Sequence, residues 1–142
     1  MATANTATAG PTRGTRHASA TFASSLIGSA MVLVTAAGEL DASNARELAE
    51  YVEAVLDAKR RLIVDLRAMT FFGTQGFSSL HYVGVTCSRR DVSWVTVPGP
   101  AVERVLRICD PGAGLPVATT LESAIGAVSR PSRTRLRPLR VP

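Results

Sequence analysis

The chain has 142 residues, of which 46% are hydrophobic and 19% are charged. This composition supplies enough apolar material for one domain with a core, and it excludes a chain that is disordered throughout. No apolar run approaches the roughly 20 residues of a membrane-spanning helix, and two cysteines, Cys87 and Cys109, are too few for a disulfide framework. The composition therefore favours a domain of the reducing cytoplasm with no membrane segment.

The net charge of +5 belongs to the two ends of the chain. Seven of the 16 basic residues lie in the first 20 and the last 13 positions, which leaves nine basic against 11 acidic residues between them. We predict a disordered arm over residues 1–19, a folded domain over residues 20–128 and a disordered Arg- and Pro-rich tail over residues 129–142. Because no aromatic residue is interleaved with the arginines of the tail, we do not expect nucleic-acid binding, which is only our third choice of function.

Hydrophobic periodicity predicts nine elements in the order ββαβαβαβα. Two strands, at 20–27 and 31–36, precede a first helix that begins after the segment 41–44. The run 62–66 is almost continuously apolar and rich in β-branched residues, which is typical of a strand covered on both faces.

The second half of the chain continues the alternation. A second helix is predicted from Thr74, a strand at 92–97, and a third helix from Pro100. Val117-Ala118 is predicted as a short last strand, and Thr119 with Glu122 as the capping box of a fourth helix. Because strands alternate with helices, we expect a single α/β domain with a mostly parallel sheet of four to five strands and helices packed against it.

The folded region offers no arrangement suited to catalysis or to metal binding. His81 is its only histidine, and Cys87 lies about 240° further around the same predicted helix, so the two side chains do not face each other. Neither a zinc-ligand set nor a glycine-rich phosphate loop is present in the sequence. We therefore expect a protein that is not an enzyme and needs no metal or cofactor.

Two stretches of sequence carry a family resemblance. Gly38-Glu39-Leu40-Asp41 precedes the first predicted helix, and residues 63–77 read I-V-D-L-R-A-M-T-F-F-G-T-Q-G-F. The bacterial STAS family has G-E-L-D at the first place and V-L-D-L-x-x-V-x-F-x-D-S-S-G-L at the second, and the segment 112–125 resembles its closing helix. Residues 20–128 thus resemble a STAS domain, the fold of anti-sigma factor antagonists.

The resemblance implies that the chain binds an anti-sigma factor that is also a serine/threonine switch kinase. In the family this partner phosphorylates the first serine of D-S-S-G, and only the unphosphorylated form binds it. Thr74 falls on that position, so Thr74 is the candidate phosphoacceptor; we also expect its hydroxyl to be the N-cap of the second helix. Gly73 replaces the family acid and Gln75 the second serine, which leaves a constitutive STAS interaction or scaffold module as the alternative function.

The predicted partner contacts surround this loop and extend to the third helix. Asp41 matches a second acid that lies beside the phosphosite in the family, although capping of the first helix is an alternative role for it. The predicted partner-binding residues are Asp41, Phe72, Gly73, Thr74, Gln75, Gly76, Arg104 and Arg107.

Overall fold

Strands and helices alternate along the chain as the periodicity predicted. The computed structural model describes residues 5–8, 18–57 and 61–130, so the predicted tail from residue 131 onward lies outside the described residues. The strands are β1 (Asn5–Thr8), β2 (Ala20–Ile27), β3 (Met31–Leu40), β4 (Arg61–Phe72) and β5 (Ser93–Pro98). The helices are α1 (Arg46–Leu56), α2 (Thr74–Arg89), α3 (Pro100–Cys109) and α4 (Leu121–Ser129).

The described strands form one mixed sheet in the order β1-β2-β3-β4-β5. The pairs β1–β2 and β2–β3 are antiparallel, whereas β3–β4 and β4–β5 are parallel. The prediction of an arm without regular structure over residues 1–19 is wrong for Asn5–Thr8, which pairs with Thr21–Ser24. Its Asn, Thr and Ala residues give almost no hydrophobic signal, and an edge strand can be held by main-chain hydrogen bonds alone.

The predicted last strand at Val117-Ala118 is reduced to a single parallel bridge between Thr96 and Val117. The Thr96 N–H donates to the Pro116 carbonyl, and the Ala118 N–H donates to the Thr96 carbonyl, both at 2.9 Å. Pro116 has no N–H, and α4 begins five residues later at Leu121, so the segment is too short to extend the ladder.

The sheet is covered on both faces by helices. Helices α1, α2 and α3 pack on one face against the larger core, whose fully buried members include Leu40, Leu48, Leu62, Val64, Leu66 and Leu80. Helix α4 packs on the other face against a smaller core formed by Met31, Ile63, Val95, Val97, Ala118, Ala124 and Val128. The strand over residues 62–66 is therefore buried on both faces, as its composition predicted.

The capping box of α4 lies one residue later than predicted. The Thr120 hydroxyl oxygen accepts a hydrogen bond from the Ser123 N–H at 3.0 Å, and the Ser123 hydroxyl oxygen accepts one from the Thr120 N–H at 3.2 Å. The helix begins at Leu121, so Glu122 is its second residue and cannot return to the cap as the third residue of a capping box does.

Candidate functional site

The candidate site lies where β3 and β4 end and α2 begins. The Gly73 N–H donates to the Leu40 carbonyl at 2.9 Å, which ties the residue after β4 to the last residue of β3. Asp41 directly follows Leu40, and Thr74 directly follows Gly73. The fold thus brings together two residues, Asp41 and Thr74, that lie 33 positions apart in the sequence.

Thr74 is the first residue of α2, and the N-cap of this helix is Gly73. The prediction of Thr74 as N-cap is wrong by one residue, because the extended backbone that precedes the helix, with φ −83° and ψ 178°, belongs to Gly73. The Thr74 side chain is exposed, and its hydroxyl makes no hydrogen bond with the described residues. The hydroxyl therefore stands in solvent at the positive end of the α2 dipole.

Phe72 and Gly76 support the loop from beneath. The Phe72 ring is 3% exposed, and Gly76 is buried against it. A Cβ at Gly76 would lie 2.7 Å from the ring, so only glycine lets the first turn of α2 approach so closely. The prediction that Phe72 and Gly76 contact a partner is therefore corrected, because burial keeps both of them off the surface.

Asp41 holds the turn that leads into α1. The Ser43 N–H and hydroxyl donate to Asp41 Oδ1 at 2.8 and 2.7 Å, and the Asp41 N–H donates to Asn44 Oδ1 at 2.9 Å. The buried Asn44 side chain also donates to the Glu39 carbonyl at 3.0 Å. The N-cap of α1 is Ala45 and makes no side-chain hydrogen bond, so Asp41 orders the preceding turn and does not cap the helix.

The glycine of the Gly38-Glu39-Leu40-Asp41 motif has a steric role. Gly38 has a φ of +103°, a region that residues with a side chain rarely adopt, and a Cβ there would lie 2.5 Å from the Ser19 carbonyl oxygen. The next N–H, that of Glu39, donates to the same oxygen at 2.9 Å. Gly38 thus fixes the path of β3 toward the site.

Phe71 is the site residue that the sequence prediction missed. Its ring is 51% exposed, whereas the adjacent Phe72 ring is buried. Simple strand alternation does not place the two rings, because β4 is irregularly paired with β3 here: Ala68 and Thr70 are exposed, whereas Met69 is buried. The phenylalanine of the family pattern aligns with Phe71, but Phe72 was the residue predicted to contact a partner.

The remaining predicted contacts lie around and beyond the loop. Gln75 is exposed, and its Oε1 lies 3.3 Å from the place that a Cβ at Gly73 would take. Arg104 and Arg107 are exposed on α3, and Arg107 borders a recess of about 500 Å³ lined by Leu106, Leu115 and Val117. Within the described residues, no hydrogen bond or ion pair joins either arginine to the Thr74 loop.

A charged pair stabilises the point at which β4 runs past the end of β5. Asp65, which is 8% exposed, accepts hydrogen bonds from the Nε and Nη2 of Arg67 at 2.9 and 2.8 Å and from its N–H at 3.0 Å. Burial alone would raise the pKa of Asp65, but the hydrogen bonds and the charge of Arg67 outweigh it, so the pKa lies below its usual value.

The described residues do not favour metal binding, membrane insertion or thiol chemistry. Among the described residues, no three His, Cys, Asp or Glu side chains are placed to hold a metal ion. In that part of the chain, no helix is long and apolar enough to cross a membrane. Cys87 lies on the buried face of α2, and burial raises the pKa of its thiol to about 12, so it is not a reactive thiolate at neutral pH.

The fold and the loop together define a class of protein, a small α/β domain that presents a helix start and its neighbouring strand ends to solvent. The sequence matches the STAS domain family over residues 25–124, and the chain belongs to this family. The resemblance inferred from the sequence and the α/β fold that it implied are therefore confirmed.

Curated relatives and solved structures agree with this assignment. The chain is 34% identical over 100 residues to the anti-sigma-F factor antagonist RsfA of Mycobacterium tuberculosis, covering 68% of this chain and 78% of that protein. It is 30% identical over 97 residues to osmosensory protein A of the same species, covering 66% of this chain but only 61% of that protein.

Two solved structures share the fold. A crystal structure of an anti-sigma factor antagonist from Mycobacterium paratuberculosis aligns with a TM-score of 0.69 and 26% identity, over 78% of this chain and 95% of that one. The anti-sigma factor antagonist SpoIIAA in its unphosphorylated form aligns with a TM-score of 0.58 over 82% of this chain and 97% of that one. At 20% identity, the SpoIIAA likeness concerns the fold alone.

Proposed function

We propose that this protein is a cytoplasmic anti-sigma factor antagonist, which binds an anti-sigma factor through the Thr74 loop and so releases a sigma factor. The observation that carries the proposal is the exposed Thr74 hydroxyl at the first residue of α2, next to the end of β3 that Asp41 follows. The similarity to RsfA, which is named for this activity, supports it. The role is binding and not catalysis.

We further propose that phosphorylation of Thr74 by a serine/threonine switch kinase, the anti-sigma factor itself, turns binding off. The γ-phosphoryl group of ATP would pass to Thr74 Oγ1, ADP would leave, and the hydroxyl proton would go to a base of the kinase. The phosphate adds about −1.5 to −2 charges, and the main-chain N–H groups and the positive dipole at the start of α2 would stabilise it. Such a charge at the centre of a docking surface opposes binding and leaves the core intact.

A constitutive binding module is the second candidate function, and Gly73 favours it. The N-cap of α2 carries no carboxylate, so the site lacks the acid that precedes the phosphoacceptor in the family pattern. Asp41 follows the residue that accepts a hydrogen bond from the Gly73 N–H, but its Oδ1 already accepts two hydrogen bonds from Ser43. A protein of this kind would bind its partner whatever the state of Thr74.

The two candidates differ in what a negative charge at Thr74 does. We would titrate the purified anti-sigma factors of the host one by one with wild type, Thr74→Asp, Thr74→Val and Ser78→Asp. Ser78→Asp is the matched control, because it adds the same charge to an exposed position one turn further along α2. A phospho-switch predicts that Thr74→Asp weakens binding at least about tenfold, or about 1.4 kcal/mol, whereas the control and Thr74→Val bind like wild type.

Each other outcome has a definite meaning. Equal binding by wild type and Thr74→Asp contradicts the switch and leaves the constitutive module. A wild-type protein that binds no anti-sigma factor contradicts the antagonist function itself. Incubation of a binding anti-sigma factor with ATP, followed by intact-mass measurement of wild type and Thr74→Val, then shows whether Thr74 accepts the phosphate.

A further inference from the structure

An exposed aromatic ring and an exposed carboxylate lie side by side next to the Thr74 loop. Phe71 of β4 and Glu39 of β3 are register partners in the parallel pair, so their side chains project from the same face of the sheet. The neighbouring pair, Leu40 and Phe72, is buried under the helices of the opposite face. Phe71 and Glu39 therefore point away from α1, α2 and α3, while the contacts of α4 are with Ile63, Val95 and Val97.

The main chain beneath the Phe71 ring is firmly held. Phe72 and Met69, on either side of it in β4, are 3% and 4% exposed. The Thr70 hydroxyl donates to the Gly38 carbonyl at 3.1 Å and so fastens β4 to β3. An aromatic ring that is 51% exposed on such a rigid support is a contact surface whose ordering costs little entropy on binding.

Gly73 leaves this ring uncovered. A Cβ at Gly73 would lie 3.5 Å from Phe71 Cε2, which is ordinary van der Waals contact. Any side chain at position 73 would therefore cover part of the ring. The glycine that removes the acid of the family pattern thus also exposes an apolar surface beside Thr74.

Glu39 gives the patch a charge. Its N–H donates to the Ser19 carbonyl and its carbonyl accepts from Asn44 Nδ2, so the main chain is fixed. Its carboxylate forms no hydrogen bond or ion pair with the described residues. An acid that pairs with no cation of the described residues, adjacent to an exposed ring, is complementary to a basic group at the rim of an apolar recess.

We propose that Phe71 and Glu39 form a second half of the docking surface, on the sheet face of the Thr74 loop. The partner is the anti-sigma factor of the proposed function, on which this inference rests. The anti-sigma factor offers an apolar recess for the Phe71 ring and a lysine or arginine at the rim of that recess for Glu39. Buried aromatic side chains carry much of the binding energy of protein interfaces, so Phe71 is its main anchor. The surface then runs from the first turn of α2 across Thr74 onto the sheet.

The test compares the affinities of the Phe71→Ala and Tyr82→Ala variants for the anti-sigma factor that binds the wild-type protein. Tyr82 is a matched control, since its ring is 64% exposed and lies on α2, two turns beyond Thr74. We expect Phe71→Ala to weaken binding at least about tenfold, and Tyr82→Ala to change it less than about twofold. Thermal unfolding of both variants shows that the fold persists.

Charge reversal tests the partner's chemistry. Glu39→Lys is expected to lower the association rate with the anti-sigma factor and to remove most of the salt dependence of that rate. Glu39→Gln keeps the side-chain shape and loses only the electrostatic attraction to the partner's basic group. Binding by Phe71→Ala at wild-type strength, or a Glu39→Lys variant that binds faster, overturns the proposal and leaves the antagonist function standing. A wild-type protein that binds no anti-sigma factor overturns both.

Discussion

The two halves of β4 have opposite surroundings. Residues 62–66 lie between β3 and β5 and are covered on both faces, and each of them is at most 8% exposed. Residues 67–72 continue past the end of β5 and, within the described part of the sheet, pair with β3 alone; four of the six are exposed. One half of the strand therefore forms the core, and the other carries the candidate site out of it.

This difference shows how the domain can present a loop without losing its rigidity. The projecting half is attached at its base by the Asp65–Arg67 pair and at its tip by the Gly73–Leu40 hydrogen bond. Its buried residues, Met69 and Phe72, reach back into the larger core. Substitutions in the first half should therefore affect folding, and those in the second half should affect binding.

The largest effect that separates the two halves is expected from a pair of alanine variants. Leu66 is fully buried, so Leu66→Ala should lower the free energy of unfolding by about 3 kcal/mol through lost apolar contacts and a residual cavity. Phe71→Ala should lower it by less than about 1 kcal/mol, because half of that ring is already in water. Urea unfolding followed by circular dichroism measures both, and equal losses would contradict the division of β4.

A smaller effect is expected at the junction between the halves. Asp65→Asn should cost about 1 kcal/mol at neutral pH, because it weakens the charge-assisted hydrogen bonds with the partly exposed Arg67. The pKa of Asp65 is lower in the folded than in the unfolded chain. The stabilisation is therefore complete above the unfolded-state pKa, near 4, and is lost as the pH falls through the lowered pKa.

The pH dependence gives this prediction its own control. The difference in unfolding free energy between wild type and Asp65→Asn should be constant from about pH 7 to 5 and should shrink below about pH 4. A difference that stays the same at low pH would show that the carboxylate charge does not hold the junction.

The sequence predicted those parts of the fold that depend on apolar spacing. The continuous run at 62–66 and the stripes of the four helices each require a buried face, and such faces leave a clear period. The sequence prediction missed the strand Asn5–Thr8 and made the bridge at Val117 a full strand. Both segments are held by main-chain hydrogen bonds, which nearly any residue type can form. The cap of α4 was shifted because Thr119 and Thr120 are both suitable caps.

The candidate site was predicted less completely. The Gly73–Leu40 hydrogen bond brings the chain before Asp41 next to the start of α2, and the parts of Asp41, Gly73 and Thr74 in binding stay predictions. The exposure of Phe71 and the burial of Phe72 depend on which face of β4 meets the core, and two adjacent phenylalanines do not reveal this by type. Arg104 and Arg107 were chosen only as charges on a predicted helix, and their part in binding stays a prediction.

The smallest effect concerns two threonines at helix starts, only one of which caps its helix. Thr120→Ala removes the hydroxyl that accepts the Ser123 N–H, and it should cost about 1 kcal/mol of unfolding free energy. Thr74→Ala should change the same quantity by less than about 0.5 kcal/mol, because its exposed hydroxyl bonds to no described residue. Thermal unfolding of both variants, with Ser78→Ala as a control on the surface of α2, measures the contrast. A loss at Thr74 as large as that at Thr120 would mean that its hydroxyl serves folding, and a threonine kept for folding would not be free to act as a switch.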